Sequence, residues 1–191
     1  MTYGENRKIF YSLIDEYAPH IKESSEDEDA IQKCANLYAP AYQEMADKKP
    51  IYKIKNLNHI YTGEDGYAEY SLPNYKQLRK VVVLDEKNRP ITGDYHFLGN
   101  KKIFINNNSN ATYYIEYTVY PTLINDETED DFELEIEQDA QMLLPYLVAN
   151  DYLKTDPSAN YTAFLKEFQR KMQEFDTRKK GIMVQITEGE L

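Results

Sequence analysis

The period at which apolar residues recur changes twice along this 191-residue chain, and that change limits the folds open to it more than any other feature. Residues 1–48 carry apolar side chains at helical spacing. Residues 51–124 alternate as strands do and are rich in tyrosine. Residues 132–180 return to helical spacing, and a short apolar tail follows. The pattern predicts an α+β fold: N- and C-terminal helical pairs (1–49 and 132–181) forming a helical bundle, an inserted antiparallel Tyr-rich β-domain (50–125), and an extended C-terminal tail (182–191).

The first helix is expected over Tyr3–Tyr17, where Ile9, Phe10, Leu13, Ile14 and Tyr17 form one stripe and Pro19 ends it. Ser25-Glu26-Asp27-Glu28 reads as a capping box for a second helix reaching about Asp47, with Ile31, Cys34, Tyr38, Ala41 and Met45 on its apolar face. A third helix is expected near Glu135–Lys154. Pro40 and Pro145 lie inside their helices and should kink or interrupt them. Asp156-Pro157-Ser158 predicts a turn and a helix start. The fourth helix then carries a stripe of Tyr161, Phe164 or Leu165, Phe168, Met172 and Phe175, gathers cations in its C-terminal half, and has Gly181 placed as its cap.

Between the helical pairs, Ile51–Ile54, Tyr67–Leu72, Val81–Leu84, Lys102–Ile105 and Tyr113–Val119 read as strands. They are separated by turn residues such as Gly63-Glu64-Asp65-Gly66 and Asn106–Asn110. The last strand alternates Tyr113, Ile115, Tyr117 and Val119 on one face with Tyr114, Glu116, Thr118 and Tyr120 on the other. Large side chains on both faces suit a strand with one face covered by a partner, because tyrosine covers apolar area while its hydroxyl stays hydrogen-bonded. The alternative is that tyrosines fill a small sandwich core in a chain that has no tryptophan.

The residues that usually carry chemistry do not cluster in the sequence. His20, His59 and His96 stand in unrelated segments with no metal-binding spacing. The one cysteine, Cys34, falls on an apolar helix face without a neighbouring histidine, which excludes an internal disulfide. No phosphate-binding glycine loop and no nucleophile elbow occurs. The acidic residues Asp126–Asp139 supply oxygens for a cation but lack the EF-hand pattern, so they read as a solvated segment leading into a helix. No catalytic residue, cofactor or metal is expected.

A net charge of −11 argues against tight binding of nucleic-acid phosphates, and a mean hydropathy of −0.73 suits a thin or elongated protein. No apolar run approaches a membrane span, and Met1–Ile14 has neither the signal-peptide nor the anchor pattern.

The run Asp130–Ala140, then Leu143-Leu144-Pro145-Tyr146-Leu147-Val148-Ala149, then the Asp156-Pro157 turn and a long amphipathic helix, resembles the C-terminal half of tailed-bacteriophage head–tail connector (adaptor) proteins. The resemblance implies a non-enzymatic virion protein of the phage neck, made in the host cytoplasm. It would form a homo-oligomeric ring, commonly of twelve subunits, beneath the portal protein, extend the DNA channel and dock the next connector or tail protein. By position, Ile182, Met183, Val184, Gln185 and Ile186 would form the portal-binding tail. Asp126, Glu127, Glu129, Asp130 and Asp131 are expected to line the channel, where DNA passes without specific binding. Tyr113, Tyr117 and Tyr120 are expected at subunit or tail contacts. The β-region is larger than in compact all-helical members. A second reading is a small binding module whose Tyr-rich sheet stacks on carbohydrate or grips a peptide.

Overall fold

The computed structural model describes residues 1–18, 28–62, 68–98, 102–106, 109–154 and 158–185, without side chains for 28–31, 98 and 175–185. Among the described residues the fold is mixed α+β, with four helices and two antiparallel sheets. It divides into two compact units, Met1–Lys49 with Thr122–Leu191, and Pro50–Pro121.

The helical unit is organised by α3 (Gln138–Leu153), which packs against α1 (Tyr3–Tyr17), α2 (Glu28–Lys48) and α4 (Tyr161–Gln185). Most of its side chains are buried, as expected for a helix apolar on nearly every side. Thr2 and Glu5 form a capping box that starts α1: the Glu5 N–H donates to Thr2 Oγ1 (3.2 Å) and the Thr2 N–H donates to Glu5 Oε2 (2.9 Å). Tyr3, Phe10, Leu13 and Ile14 then turn inward, against Tyr38, Tyr42 and Met45 of α2 and Leu144 and Val148 of α3 in the same core. Phe164 of α4 is fully buried, with ring neighbours Tyr17 (5.2 Å) and Tyr146 (6.2 Å).

A buried polar chain joins these elements. The Tyr38 hydroxyl donates to Asn6 Oδ1 (3.0 Å), and Asn6 Nδ2 donates to the Gln141 carbonyl (2.6 Å). Gln141 Nε2 in turn donates to the carbonyls of Leu134 and Ile136 (2.8 Å each). Asn6 and Gln141 are therefore core residues because every removal from water is repaid by a hydrogen bond.

Several boundaries differ from the sequence expectation. Helix α3 begins at Gln138 rather than near Glu135, because residues 132–135 are held in other pairings. The Tyr3 N–H donates to the Phe132 carbonyl (2.8 Å), and the Glu135 N–H donates to the Tyr42 hydroxyl oxygen (2.7 Å). Thr122–Asn125 belong to the helical unit and not to the β-region: Ile124 is buried there, and the Thr122 N–H donates to Glu135 Oε2 (2.7 Å). Neither Pro40 nor Pro145 divides its helix. Pro145 is buried in α3, and the packing of that helix against three others exceeds the roughly 3 kcal/mol cost of an interior proline. Gly181 does not end α4, which continues to Gln185. Residues 182–185 are thus helical rather than the start of an extended tail; an interior glycine costs only about 1 kcal/mol. Residues 186–191, the Ser25 cap, His20 and the Asp156-Pro157 turn lie outside the described residues.

In the β unit, β1 (Ile51–His59), β7 (Ala111–Val119), β3 (Tyr75–Leu84) and β4 (Pro90–Ile91) form one sheet in that order. The second sheet has the order β2 (Ala68–Ser71), β6 (Lys102–Ile105), β5 (Tyr95–Leu98). The sheets meet through Tyr75 on Phe97 (5.7 Å) and Tyr95 on Tyr113 (6.3 Å), over a core of Leu57, Leu72, Val83, Ile103, Ile105 and Ile115. A Cβ on Gly93 would come within 2.7 Å of Val83 and 2.9 Å of Tyr113, so glycine is required for this close approach. Gly93→Ala is expected to lower unfolding free energy by about 1–3 kcal/mol, measured by denaturant titration.

Burial raises the hydroxyl pKa of Tyr3, Tyr38 and Tyr42, the last to about 12, so the folded state holds these groups protonated above their ordinary value near 10. Their contribution is whole below about pH 10 and is lost as pH rises toward the folded values. Helical ellipticity and tyrosinate absorbance followed together should stay flat to about pH 10 and then change in one cooperative step. Free titration of these tyrosines with the helices intact would contradict their placement.

Candidate interaction surface

β7 lies between β1 and β3, so both of its edges are paired and its side chains alternate strictly between the sheet's two faces. Tyr113, Ile115, Tyr117 and Val119 all point into the unit's core and are buried. Two of the expected contact residues, Tyr113 and Tyr117, are therefore corrected: they are core tyrosines, covered by the second sheet and by Tyr75 (6.0 Å from Tyr117), and present nothing to a partner. Tyr120 is 49 % exposed and remains available.

The opposite face carries a different set. Opposite Thr118, Glu116 and Tyr114 of β7 stand Tyr52, Ile54 and Asn56 of β1. On the other flank stand Gln77, Lys80 and Val82 of β3. Tyr52 (45 %), Ile54 (70 %), Tyr114 (37 %) and Tyr120 thus expose large apolar side chains on one face. Scattered apolar residues are ordinary at a surface, whereas several on one sheet face mark an interaction site.

Strand β3 adds charge to this face through two irregularities. Its register with β7 shifts between Tyr75 and Gln77 and again between Leu78 and Lys80, leaving Lys76 and Arg79 as the extra residues. A bulge re-aims the side chain it carries. Lys76 Nζ lies 5.5 Å from the centre of the Tyr120 ring, and Arg79 Cζ lies 5.2 Å from that of Tyr52. Both are cation–π distances. Lys80 completes a cationic row, and among the described residues neither Arg79 nor Lys80 makes an ion pair. Sequence reasoning missed this row because strand alternation assigns Lys76, Arg79 and Lys80 to no common face. Only the two register shifts bring them together.

The β1 edge of the sheet is guarded rather than adhesive. β1 pairs only with β7 among the described strands. Its inward-facing positions include Lys53 and Lys55, and Lys55 Nζ donates to the Ser71 carbonyl (2.6 Å). Charged residues turned inward on an edge strand oppose edge-to-edge pairing.

The residues expected to line a channel lie in the helical unit. Asp126, Glu127, Glu129, Asp130 and Asp131 are exposed. Asp130 pairs with the largely buried Arg7, and its carbonyl accepts from the Gly4 N–H (2.9 Å), which holds the segment against the start of α1. Asn125 Oδ1 accepts from the Glu127 N–H (3.1 Å) and the Thr128 hydroxyl (3.0 Å), which fixes the turn. Leu123 beside it is 76 % exposed. Of the expected tail residues, Ile182–Gln185 fall in the last turn of α4, and Ile186 lies outside the described residues.

Cys34 is buried. His59 is buried edge-on to Tyr113 (6.5 Å), and His96 stacks on Phe104 (5.5 Å). Among the described residues no group of three or more His, Cys, Asp and Glu side chains is arranged to hold a metal ion, and no helix is long and apolar enough to cross a membrane. Comparison of the sequence with protein-family models and with characterised proteins gives no match.

The two tyrosine classes separate in stability measurements. Tyr113→Ala should cost about 3–5 kcal/mol, as for other large core truncations. Tyr114→Ala should cost about 1 kcal/mol or less, as for surface changes. Equal losses in denaturant melts would contradict the assignment of faces.

Proposed function

We propose that this chain is a structural assembly protein, and that it is the head–tail connector of a tailed bacteriophage, a non-enzymatic ring subunit between portal and tail. In this reading the N- and C-terminal helical pairs form the bundle and the antiparallel Tyr-rich β-domain is inserted between them. Copies close into a ring, commonly of twelve, whose bore extends the DNA channel in the virion neck. The ring meets the portal protein through the C-terminal end of the chain and the next connector or tail protein through the β unit.

The observation that carries the reading is the outer sheet face, where Tyr52, Ile54, Tyr114 and Tyr120 are exposed together, with Lys76 over Tyr120 and Arg79 over Tyr52. Such a face gains by being covered with protein, and aromatic residues with arginine are the composition of contact cores. The acidity of the chain supports the channel role, because carboxylates around a bore repel the phosphate backbone and let it slide.

Negative-stain electron microscopy of the concentrated chain should show annuli with a central hole, and a mobility-shift assay at low salt should show no retention of duplex DNA. Open chains of subunits, or tight duplex binding, would count against the connector. The exposed tyrosines also favour a second reading, a module that stacks carbohydrate. Glycan binding lost on Tyr52→Ala and Tyr114→Ala in a protein that forms no annuli would select it instead.

A further inference from the structure

The two units divide the charge of the chain unevenly. Residues 50–121 hold nine Lys and Arg against seven Asp and Glu, a net of +2, which leaves −13 for the helical unit. Residues 103–153 contain no lysine or arginine at all. Within that stretch Asp126, Glu127, Glu129 and Asp131 are exposed and, among the described residues, make no ion pair. Each unit thus presents what the other lacks: Arg79 and Lys80 beside exposed aromatics, and four carboxylates beside the exposed Leu123.

We infer that the outer face of the four-stranded sheet binds the acidic segment 122–131 of a second copy of this chain, joining copies head to tail. Three arguments select this occupant. Charge complementarity is the first: two copies meeting through their helical units would bring −13 against −13, and like charges brought together oppose association. Meeting through the sheet face of one and the acidic segment of the other aligns opposite signs. The second is preorganisation: the Asn125 turn and the Arg7–Asp130 pair hold the segment in place before it binds, so little ordering remains to oppose the contact. The third is the β1 edge, whose inward lysines oppose strand addition on the flank that carries Tyr52 and Ile54, so these side chains are met from the face.

A contact between two different patches is heterologous, and repeated it closes into a ring or runs on as a filament. The inference rests on the assembly reading and deepens it by naming the subunit contact. It also places Asp126, Glu127, Glu129 and Asp131 between copies rather than on the bore. Attraction between charged patches in water is screened by salt, so assembly should weaken as ionic strength rises.

The test uses two variants of the full chain. Arg79→Glu with Lys80→Glu reverses the face; Asp126→Lys, Glu127→Lys and Glu129→Lys reverse the segment. All five positions are exposed, and far-UV circular dichroism checks that both variants fold. Light scattering should report an assembled wild type that dissociates with added salt. Each variant alone should be monomeric, with assembly weakened at least tenfold. A one-to-one mixture should assemble again, because each variant's altered patch now meets its complement on the other.

Rings that both variants retain would overturn this contact and leave the connector reading standing. A mixture that stays monomeric would overturn it too. A wild type monomeric at every concentration ends the contact, and the connector reading with it if no annuli form. A single-stranded oligonucleotide held by the wild type and released by the face variant would assign the surface to nucleic acid and overturn the inference.

Discussion

The placement of β7 between two strands is the constraint on which the β unit depends. A strand paired on both edges cannot slip or twist to hide a side chain, so each residue belongs to one face or the other. One face closes over Tyr113, Ile115 and Tyr117 and supplies the core. The other must then carry whatever remains, which includes Tyr114, Glu116 and Thr118 and, just past the strand, Tyr120. The exposed aromatic surface is thus the direct consequence of the alternation that builds the core. The two bulges of β3 use this fixed platform, each setting a cation over an outer tyrosine.

Much of the architecture was legible from side-chain periodicity. Helix α1 matches the Tyr3–Tyr17 stripe, and β7 matches the alternation from Tyr113 to Val119 with two more residues at its start. Periodicity works there because burial on one side acts on every residue of the element. It fails where long-range pairing decides. The sequence of residues 132–137 is compatible with helix, yet Tyr3 and Tyr42 hold its backbone in other bonds. Asn6 and Gln141 look like surface residues until their partners, 135 positions apart, are known. The tyrosines posed the sharpest ambiguity: composition counts them, but only register distinguishes Tyr113 from Tyr114.

The candidate surface was less legible than the fold. The acidic segment of the helical unit could be read directly, since a run without cations is plain in the sequence. The cationic row of the sheet face is built from Lys76, Arg79 and Lys80 by two register shifts that leave no mark in the residue pattern. Charge separation between the units is likewise invisible in the total of −11, which averages a slightly basic sheet unit with a strongly acidic helical one. That separation, more than total charge, governs how copies approach one another.

Hydroxyl-radical footprinting of the tyrosines, with peptide-level mass spectrometry at increasing protein concentration, tests the division of faces and its use in assembly together. Tyr52, Tyr114 and Tyr120 should be oxidised readily in dilute protein and become protected as copies associate, while Tyr113 and Tyr117 stay protected throughout. Association that leaves Tyr52, Tyr114 and Tyr120 as reactive as before would show that copies meet elsewhere and would contradict the account.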